Sequence, residues 1–268
     1  MFKQRLITIL ILLPLALSAI FFLPNLYWAL ILGVVVLGCA LEWAALFKFG
    51  YLEKGAYLTL MGALLAISSQ MSVFLVTAFS LIFWVVMMGL VVAYKPQENP
   101  APPSKMAASF LGVMLLVPFW QSTVWLADGN RWVLLSLFLL VWSADTFAYI
   151  GGKTLGKHLF MPFVSPKKTW EGVLFGLVGL LGVASLLYWA GALKEGYGFT
   201  QSFLLWFLGG ILIFVFALFG DLFESLVKRI QGVKDSGHCL PGHGGVLDRL
   251  DSLFAAAPLF VFLCGKFS

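Results

Sequence analysis

The chain has 268 residues, of which 61% are hydrophobic and 11% are charged, and its mean hydropathy is +0.99. A soluble domain contains roughly 25% charged residues, so this composition excludes an ordinary soluble protein and indicates several membrane spans. The net charge of +5 does not indicate nucleic-acid binding, because the basic residues lie in short loops beside apolar stretches, where they orient helices and attract anionic lipid headgroups. We therefore predict an all-α, polytopic integral membrane protein without a nucleic-acid partner.

Apolar stretches of membrane-spanning length follow one another along the chain. A helix needs about 20 apolar residues to cross a bilayer. On that basis we predict nine spans, at Leu6–Leu23, Leu26–Phe47, Tyr57–Ser72, Val73–Tyr94, Met106–Leu126, Trp132–Ile150, Val173–Leu193, Phe203–Phe223 and Leu250–Cys264. If the N-terminus is cytoplasmic, all 17 Lys and Arg residues except Arg131, Lys194 and Lys266 fall on the cytoplasmic side. Because positively charged loops face the cytoplasm, we predict the N-terminus inside and the C-terminus outside.

The N-terminal segment 1–94 carries few polar residues, and nothing in it indicates catalysis. We expect it to act as a scaffold, to contact lipid or to form a homodimer. Glu42 lies near the predicted cytoplasmic end of its span, about one and a half turns before Lys48, and we interpret it as an interfacial or helix-paired carboxylate. The segment 95–105 has four prolines and no apolar periodicity, which is typical of a stiff linker in water. It separates the scaffold from a predicted catalytic region at 106–268.

An acidic residue, Asp145, lies inside the predicted Trp132–Ile150 span. A charge at the centre of a membrane helix costs about 2.5–3.5 kcal/mol on insertion scales, so such a residue indicates a functional site. We expect Asp145 to face the same cavity as Asp221. A purely structural hydrogen bond is the alternative.

The segment SPKKTWEG, at 165–172, has the pattern of a helix start, with Ser165 as the N-cap and Pro166 in the first turn. The free N–H groups and the dipole of a helix N-terminus favour a phosphate, and Lys167 and Lys168 add positive charge there. The alternative is that both lysines only anchor the seventh span at the cytoplasmic face. Charge balance does not separate these two hypotheses.

The stretch Gly220–Asp251 holds four of the six Asp residues of the chain and a dense run of basic residues. If residues 221–230 are helical, side chains three and four positions apart share a face. That face then carries two carboxylates, a hydroxyl and an ammonium group, those of Asp221, Glu224, Ser225 and Lys228. Such a face is suited to hold a cation and an anion together.

A glycine-rich loop follows, and its glycines let backbone N–H groups approach a ligand closely. A second helix is predicted next, with Asp248 and Asp251 on one face and Arg249 between them. Carboxylates that hold Mg²⁺, together with Lys, Arg and amide groups that neutralise phosphate oxygens, are what phosphoryl and nucleotidyl transfer require. The alternative, a solvated loop between membrane helices, leaves the helical spacing of the acids at the edges of apolar segments unexplained.

This stretch closely resembles the signature of the phosphatidate cytidylyltransferases, or CDP-diacylglycerol synthases. The matching positions are Ser225, Lys228-Arg229, Lys234-Asp235, Gly237, Leu240-Pro241, His243-Gly244-Gly245, Asp248-Arg249 and Asp251. The run of apolar spans and the segments 142–158 and 165–172 are similar to that family as well. The resemblance implies that CTP and phosphatidate give CDP-diacylglycerol and pyrophosphate, at a site facing the cytoplasm of a bacterial inner membrane. It also favours phosphate binding by the segment 165–172.

We assign roles to the signature residues on this basis. The nucleophile, a phosphate oxygen of phosphatidate, arrives ionised, so catalysis should rest on positioning and charge neutralisation. The expected catalytic residues are Asp221, Lys228, Asp248 and Asp251. The three aspartates of this set are also the expected ligands of one or two Mg²⁺ ions, with Asp145 and Glu224 as further candidates. The expected phosphate contacts are Lys167, Lys168, Lys228, Arg229, Lys234, His243 and Arg249. Ser225 and the amides of Gly244 and Gly245 are expected to bind phosphate or metal.

Two other functions remain open from the sequence. A polyprenol or phytol kinase also uses CTP, but it transfers the γ-phosphoryl group to an alcohol. A secondary transporter of an organic anion also uses charges at the membrane midplane and broken helices. A transporter predicts two related halves, whereas the charge in this chain is concentrated in the C-terminal portion.

Overall fold

The computed structural model describes residues 14–96, 102–191, 202–237 and 244–265. These residues are mainly helical, which confirms the all-α class. The helices are α1 (14–22), α2 (Asn25–Leu46), α3 (Tyr51–Ser68), α4 (Val73–Ala93), α5 (Lys105–Gly129), α6 (Arg131–Leu155), α7 (Trp170–Trp189), α8 (Phe203–Ile230) and α9 (Leu247–Cys264). An antiparallel hairpin of β1 (Leu159–Met161) and β2 (Ser165–Thr169) connects α6 to α7.

Six helices in the described ranges are long and apolar enough to cross a membrane, namely α2, α4, α5, α6, α7 and α8. The protein is therefore a polytopic membrane protein, although the predicted count of nine spans is not confirmed. The helix boundary at Ser68 agrees with the predicted break between the third and fourth spans. The helix α8 continues beyond the predicted end at Phe223 to Ile230, so the acidic face extends without interruption from an apolar helix. Of the predicted linker, residues 97–101 lie outside the described ranges.

The segment 165–172 differs from its prediction. Ser165–Thr169 is a β-strand, so the predicted helix start at Ser165 is wrong. The N-cap of α7 is Thr169, whose hydroxyl accepts a hydrogen bond from the N–H of Gly172 at 3.2 Å. Thr169 also pairs with Leu159 across the hairpin, a contact that the local sequence does not reveal. Since successive side chains of a strand point to opposite faces, Lys167 is exposed whereas Lys168 turns inward.

Glycines on α7 bring it into close contact with α6. A Cβ atom added at Gly172 would lie 2.9 Å from the carbonyl oxygen of Ala148, and one added at Gly176 would lie 2.9 Å from that of Ala144. Two glycines four positions apart let helix backbones approach closely in a membrane. Asp145 directly follows Ala144, so the close packing of α6 against α7 fixes its position along α6.

The short helix α9 lies at the centre of the bundle, where it contacts α2, α4, α5, α6 and α8. Residues 252–261 are all buried. The closest approach to α8 is at Gly220, where an added Cβ would lie 2.5 Å from the carbonyl oxygen of Asp251. The first turn of α9 and the acidic face of α8 therefore meet directly.

Candidate active site

The predicted face of α8 is present in the structure. The hydroxyl of Ser225 donates a hydrogen bond to Oδ1 of Asp221 at 3.3 Å, one helical turn away. The Nζ atom of Lys228 lies 3.2 Å from Oε2 of Glu224, again one turn away. These contacts follow from the i, i+4 spacing, so the sequence was sufficient to predict them.

Asp248, in the first turn of α9, is the most heavily hydrogen-bonded acid of the cluster. Its Oδ1 accepts from Nζ of Lys228 at 2.6 Å. Its Oδ2 accepts from the N–H of Gly245 at 2.9 Å and from the N–H and hydroxyl of Ser236 at 3.0 and 2.9 Å. Burial alone raises the pKa of Asp248, but the hydrogen bonds from Lys228 and from the two backbone N–H groups lower it to about 2. Asp248 is therefore a carboxylate at neutral pH, and it joins α8 to the loop before α9.

Three further acids crowd together between α6, α8 and α9. Asp251 interacts electrostatically with Asp221 and Glu224, and Asp145 interacts with both Asp251 and Asp221. The hydroxyl of Ser252 lies 3.5 Å from Oδ1 of Asp145. The structure thus brings Asp145 within electrostatic range of Asp221, whereas the predicted cavity shared by the two stays a prediction. Like charges at this density repel one another unless a cation neutralises them.

Two lysines neutralise part of this charge. Nζ of Lys168, on the hairpin, lies 2.7 Å from Oδ2 of Asp221, and Lys228 pairs with Asp248. Lys228 also makes a charge contact of 3.2 Å with Oε2 of Glu224, and the Glu224 carboxyl group interacts with that of Asp251. Glu224 is only 3% exposed, so this buried carboxyl group depends on Lys228 for its charge balance.

The cluster is suited to Mg²⁺ by its chemistry more than by its arrangement. In the described ranges, no group of three or more Asp, Glu, His or Cys side chains is arranged to hold a metal ion. Instead, Asp221 forms an ion pair with Lys168, and Asp248 forms one with Lys228. The donors are nevertheless carboxylate oxygens, which Mg²⁺ prefers. The residues therefore fit Mg²⁺ by donor type alone, and a metal site among them stays a prediction.

The remaining predicted residues comprise two glycines of the loop before α9, four exposed basic residues and one residue outside the described ranges. Gly244 has a φ of +85°, a left-handed conformation that glycine adopts without strain. The N–H of Gly245 is already used by Asp248. His243 lies outside the described residues. Four basic side chains are exposed, those of Lys167, Arg229, Lys234 and Arg249.

One residue of the site was missed. Glu42 is 6% exposed and pairs with another helix, so the helix-paired alternative fits the structure, whereas a place beside the site was not expected. Its oxygens accept hydrogen bonds from the N–H groups of Val246 and Leu247, at the start of α9. The available signal was an acid within an apolar span, the same signal that identified Asp145. The N-terminal segment therefore contributes directly to the structure around the site.

A bundle of membrane helices that encloses clustered carboxylates and lysines at one end of its central helix defines an integral membrane enzyme that handles phosphorylated substrates. The chain belongs to the Cytidylyltransferase family, whose model matches residues 3–267. It is 40% identical to a phosphatidate cytidylyltransferase of Pseudomonas aeruginosa, over 98% of this chain and 97% of that protein. It is 31% identical to a phosphatidate cytidylyltransferase of Haemophilus influenzae, over 98% of each chain. These similarities confirm the family that the sequence motifs indicate.

Proposed function

We propose that the chain transfers the cytidylyl group of CTP to phosphatidate, giving CDP-diacylglycerol and pyrophosphate. The observation that carries the proposal is the meeting of Asp221 with Lys228, Asp248 and Asp251, the last three of which belong to the family signature, in one cluster at the start of α9. The near full-length similarity to relatives named phosphatidate cytidylyltransferase supports the choice of both substrates.

In the proposed mechanism, an ionised phosphate oxygen of phosphatidate attacks the α-phosphorus of CTP, and pyrophosphate leaves. No proton needs to be removed from the nucleophile, so the residues act by positioning and by neutralising charge. Lys168 and Lys228 each lie beside a carboxylate and can exchange it for a phosphate oxygen without losing a charge partner. Asp221, Asp248 and Asp251, with Asp145 and Glu224 nearby, would hold one or two Mg²⁺ ions, which supply charge neutralisation at the phosphates.

The remaining phosphate contacts are assigned to the basic and glycine residues around this cluster. Arg229, Lys234 and Arg249 are exposed and border its polar end in sequence. Ser225 donates to Asp221 and is assigned to bind phosphate or metal. The further members of the proposed set are Lys167, His243, Gly244 and Gly245. We place the site at the cytoplasmic face of a bacterial inner membrane, because the basic loops predict that orientation.

The proposal is tested by incubating the purified protein with phosphatidate in mixed micelles and with CTP labelled at the α- or at the γ-phosphorus. Transfer of the α-label to lipid, dependent on Mg²⁺ and lost in Asp221→Asn, is the expected result. Transfer of the γ-label to lipid would contradict the proposal and indicate a CTP-dependent lipid kinase. Uptake of an intact anion into vesicles, with no labelled lipid, would indicate a transporter instead.

A further inference from the structure

Glu42 in α2 acts as a cap for a helix more than 200 residues away in the chain. Its Oε1 accepts from the N–H of Val246 at 3.0 Å and its Oε2 accepts from the N–H of Leu247 at 2.9 Å. N–H groups at the start of a helix have no acceptor within the helix, and the dipole there favours a negative charge. Glu42 therefore satisfies the N-terminus of α9 with a carboxylate supplied by a different helix.

The loop before α9 is shaped around the Glu42 carboxylate. An added Cβ at Gly237 would lie 2.7 Å from Oε1 of Glu42, and one at Gly245 would lie 2.5 Å from Oε2. The hydroxyl of Ser236 lies 3.4 Å from the same Oε2. Both described ends of the loop thus close on one carboxylate, and a side chain at Gly237 or Gly245 would require the Glu42 carboxylate to shift.

The same loop residues also hold Asp248. Ser236 and Gly245 donate to Oδ2 of Asp248, whereas Glu42 occupies the next two N–H groups along the chain. A buried carboxylate is costly unless it is hydrogen-bonded and its charge is balanced. Among the described ion pairs none includes Glu42, so backbone N–H groups and the helix dipole supply that balance. A displaced Glu42 would release the segment that sets the position of Asp248.

We propose that Glu42 is a positioning residue for the transfer reaction. It fixes the start of α9, and through Ser236 and Gly245 it sets Asp248 against Lys228. Glu42 does not touch the reacting groups in this arrangement. The kinetic part of the inference rests on the proposed function, but the attachment of the loop to Glu42 does not.

The test compares Glu42→Gln with Glu53→Gln as a matched control. Glu53 is an acid of α3 whose ion pair with Lys105 is about half exposed, so its loss should leave the site unchanged. Glu42→Gln keeps the size of the side chain but turns one acceptor into an N–H₂ group that faces a backbone donor. We expect kcat to fall by about tenfold or more, which corresponds to about 1.4 kcal/mol of the barrier. The KM for phosphatidate should stay close to that of the control, and kcat is expressed per folded protein.

A second readout does not require activity. Lys234 is exposed in the loop, so trypsin cleavage after Lys234 in detergent reports whether the loop is held. Cleavage should be several-fold faster in Glu42→Gln than in Glu53→Gln. Gly237→Ala, which pushes on the same carboxylate from the loop side, should reproduce both effects.

The outcomes separate this inference from the proposed function. If kcat and loop cleavage are unchanged in Glu42→Gln, or if kcat falls only in proportion to the loss of folded protein, the positioning role is wrong. If the unmodified protein transfers no cytidylyl group but Glu42→Gln still accelerates loop cleavage, the proposed function fails while the attachment of the loop stands. Restoration of kcat in Glu42→Asp, with a carboxylate one methylene shorter, would further support a charged cap.

Discussion

Lys168 on the hairpin and Asp221 in α8 form an ion pair of 2.7 Å, with side chains 21% and 31% exposed. The neighbouring Lys167 points away and is exposed. The two lysines, which the sequence treats as equivalent, therefore have different surroundings. Only Lys168 reaches the acidic cluster directly.

We predict that Lys168→Ala lowers kcat/KM by at least tenfold, because it removes a cation from the cluster that handles phosphate. Lys167→Ala should change kcat/KM by less than about threefold. Steady-state kinetics for CTP and for phosphatidate in mixed micelles give the comparison. Equal losses in the two single variants would mean that the hairpin acts through its overall charge and not through the contact with Asp221.

Asp221→Asn and Asp248→Asn should both abolish turnover, but they should differ in stability. Asp221 is in a partly exposed pair, which is worth about 0–1 kcal/mol. Asp248 is 9% exposed and pairs with Lys228, which is 12% exposed, and loss of one partner of a buried pair costs about 3–5 kcal/mol. Melting curves in one detergent, measured beside the kinetics, check the difference. Rates near those of the unmodified protein at saturating Mg²⁺ would disprove the assignment of these two residues to the metal.

Local spacing explains which parts of the site were predictable. The contacts of Asp221 with Ser225 and of Glu224 with Lys228 lie within one helical turn, so they can be read directly from the sequence. Ser followed by Pro suits both a helix start and a strand, so the local sequence at Ser165 does not distinguish them, and pairing with β1 decides for the strand. Pro166 is tolerated there because a two-stranded hairpin has only edge strands.

Glu42 could not be placed from its sequence neighbours, because its partners are backbone N–H groups far along the chain. The types of the residues that carry these N–H groups do not reveal that the groups will bind a distant carboxylate. The rule that an acid in an apolar span indicates a functional site applies to Glu42 as well as to Asp145. The gathering of Asp145 with Asp221 was predictable because both lie on helices of the same apolar region.

Mg²⁺ with CTP should raise the melting temperature, because a cation relieves the repulsion among Asp145, Asp221 and Asp251 and binds only the folded protein. Asp251→Asn should reduce this shift, since it removes one of the proposed ligands. The measurement is a melting curve with and without Mg²⁺, repeated with excess chelator. An undiminished shift in Asp251→Asn would remove that residue from the proposed metal site.

The last prediction concerns orientation, which follows from the distribution of basic residues. Gly237 packs against Glu42 and is a poor labelling position, whereas Lys234 is exposed. Cysteine at Lys234 should therefore react only from the cytoplasmic side, and cysteine at Asp128, where α5 ends, only from the other side. The native Cys39 and Cys264 are buried, and Cys239 is replaced by Ser in every variant to keep the background low.

Labelling with a membrane-impermeant maleimide on intact cells and on inverted vesicles measures the accessibility of each cysteine from the two sides of the membrane. Because α5 is a single helix of 25 residues that begins at Lys105, labelling at Lys105 on the side opposite to Asp128 is the matched control. Labelling of Lys234 and Asp128 from the same side would contradict the predicted topology and, with it, the cytoplasmic placement of the site.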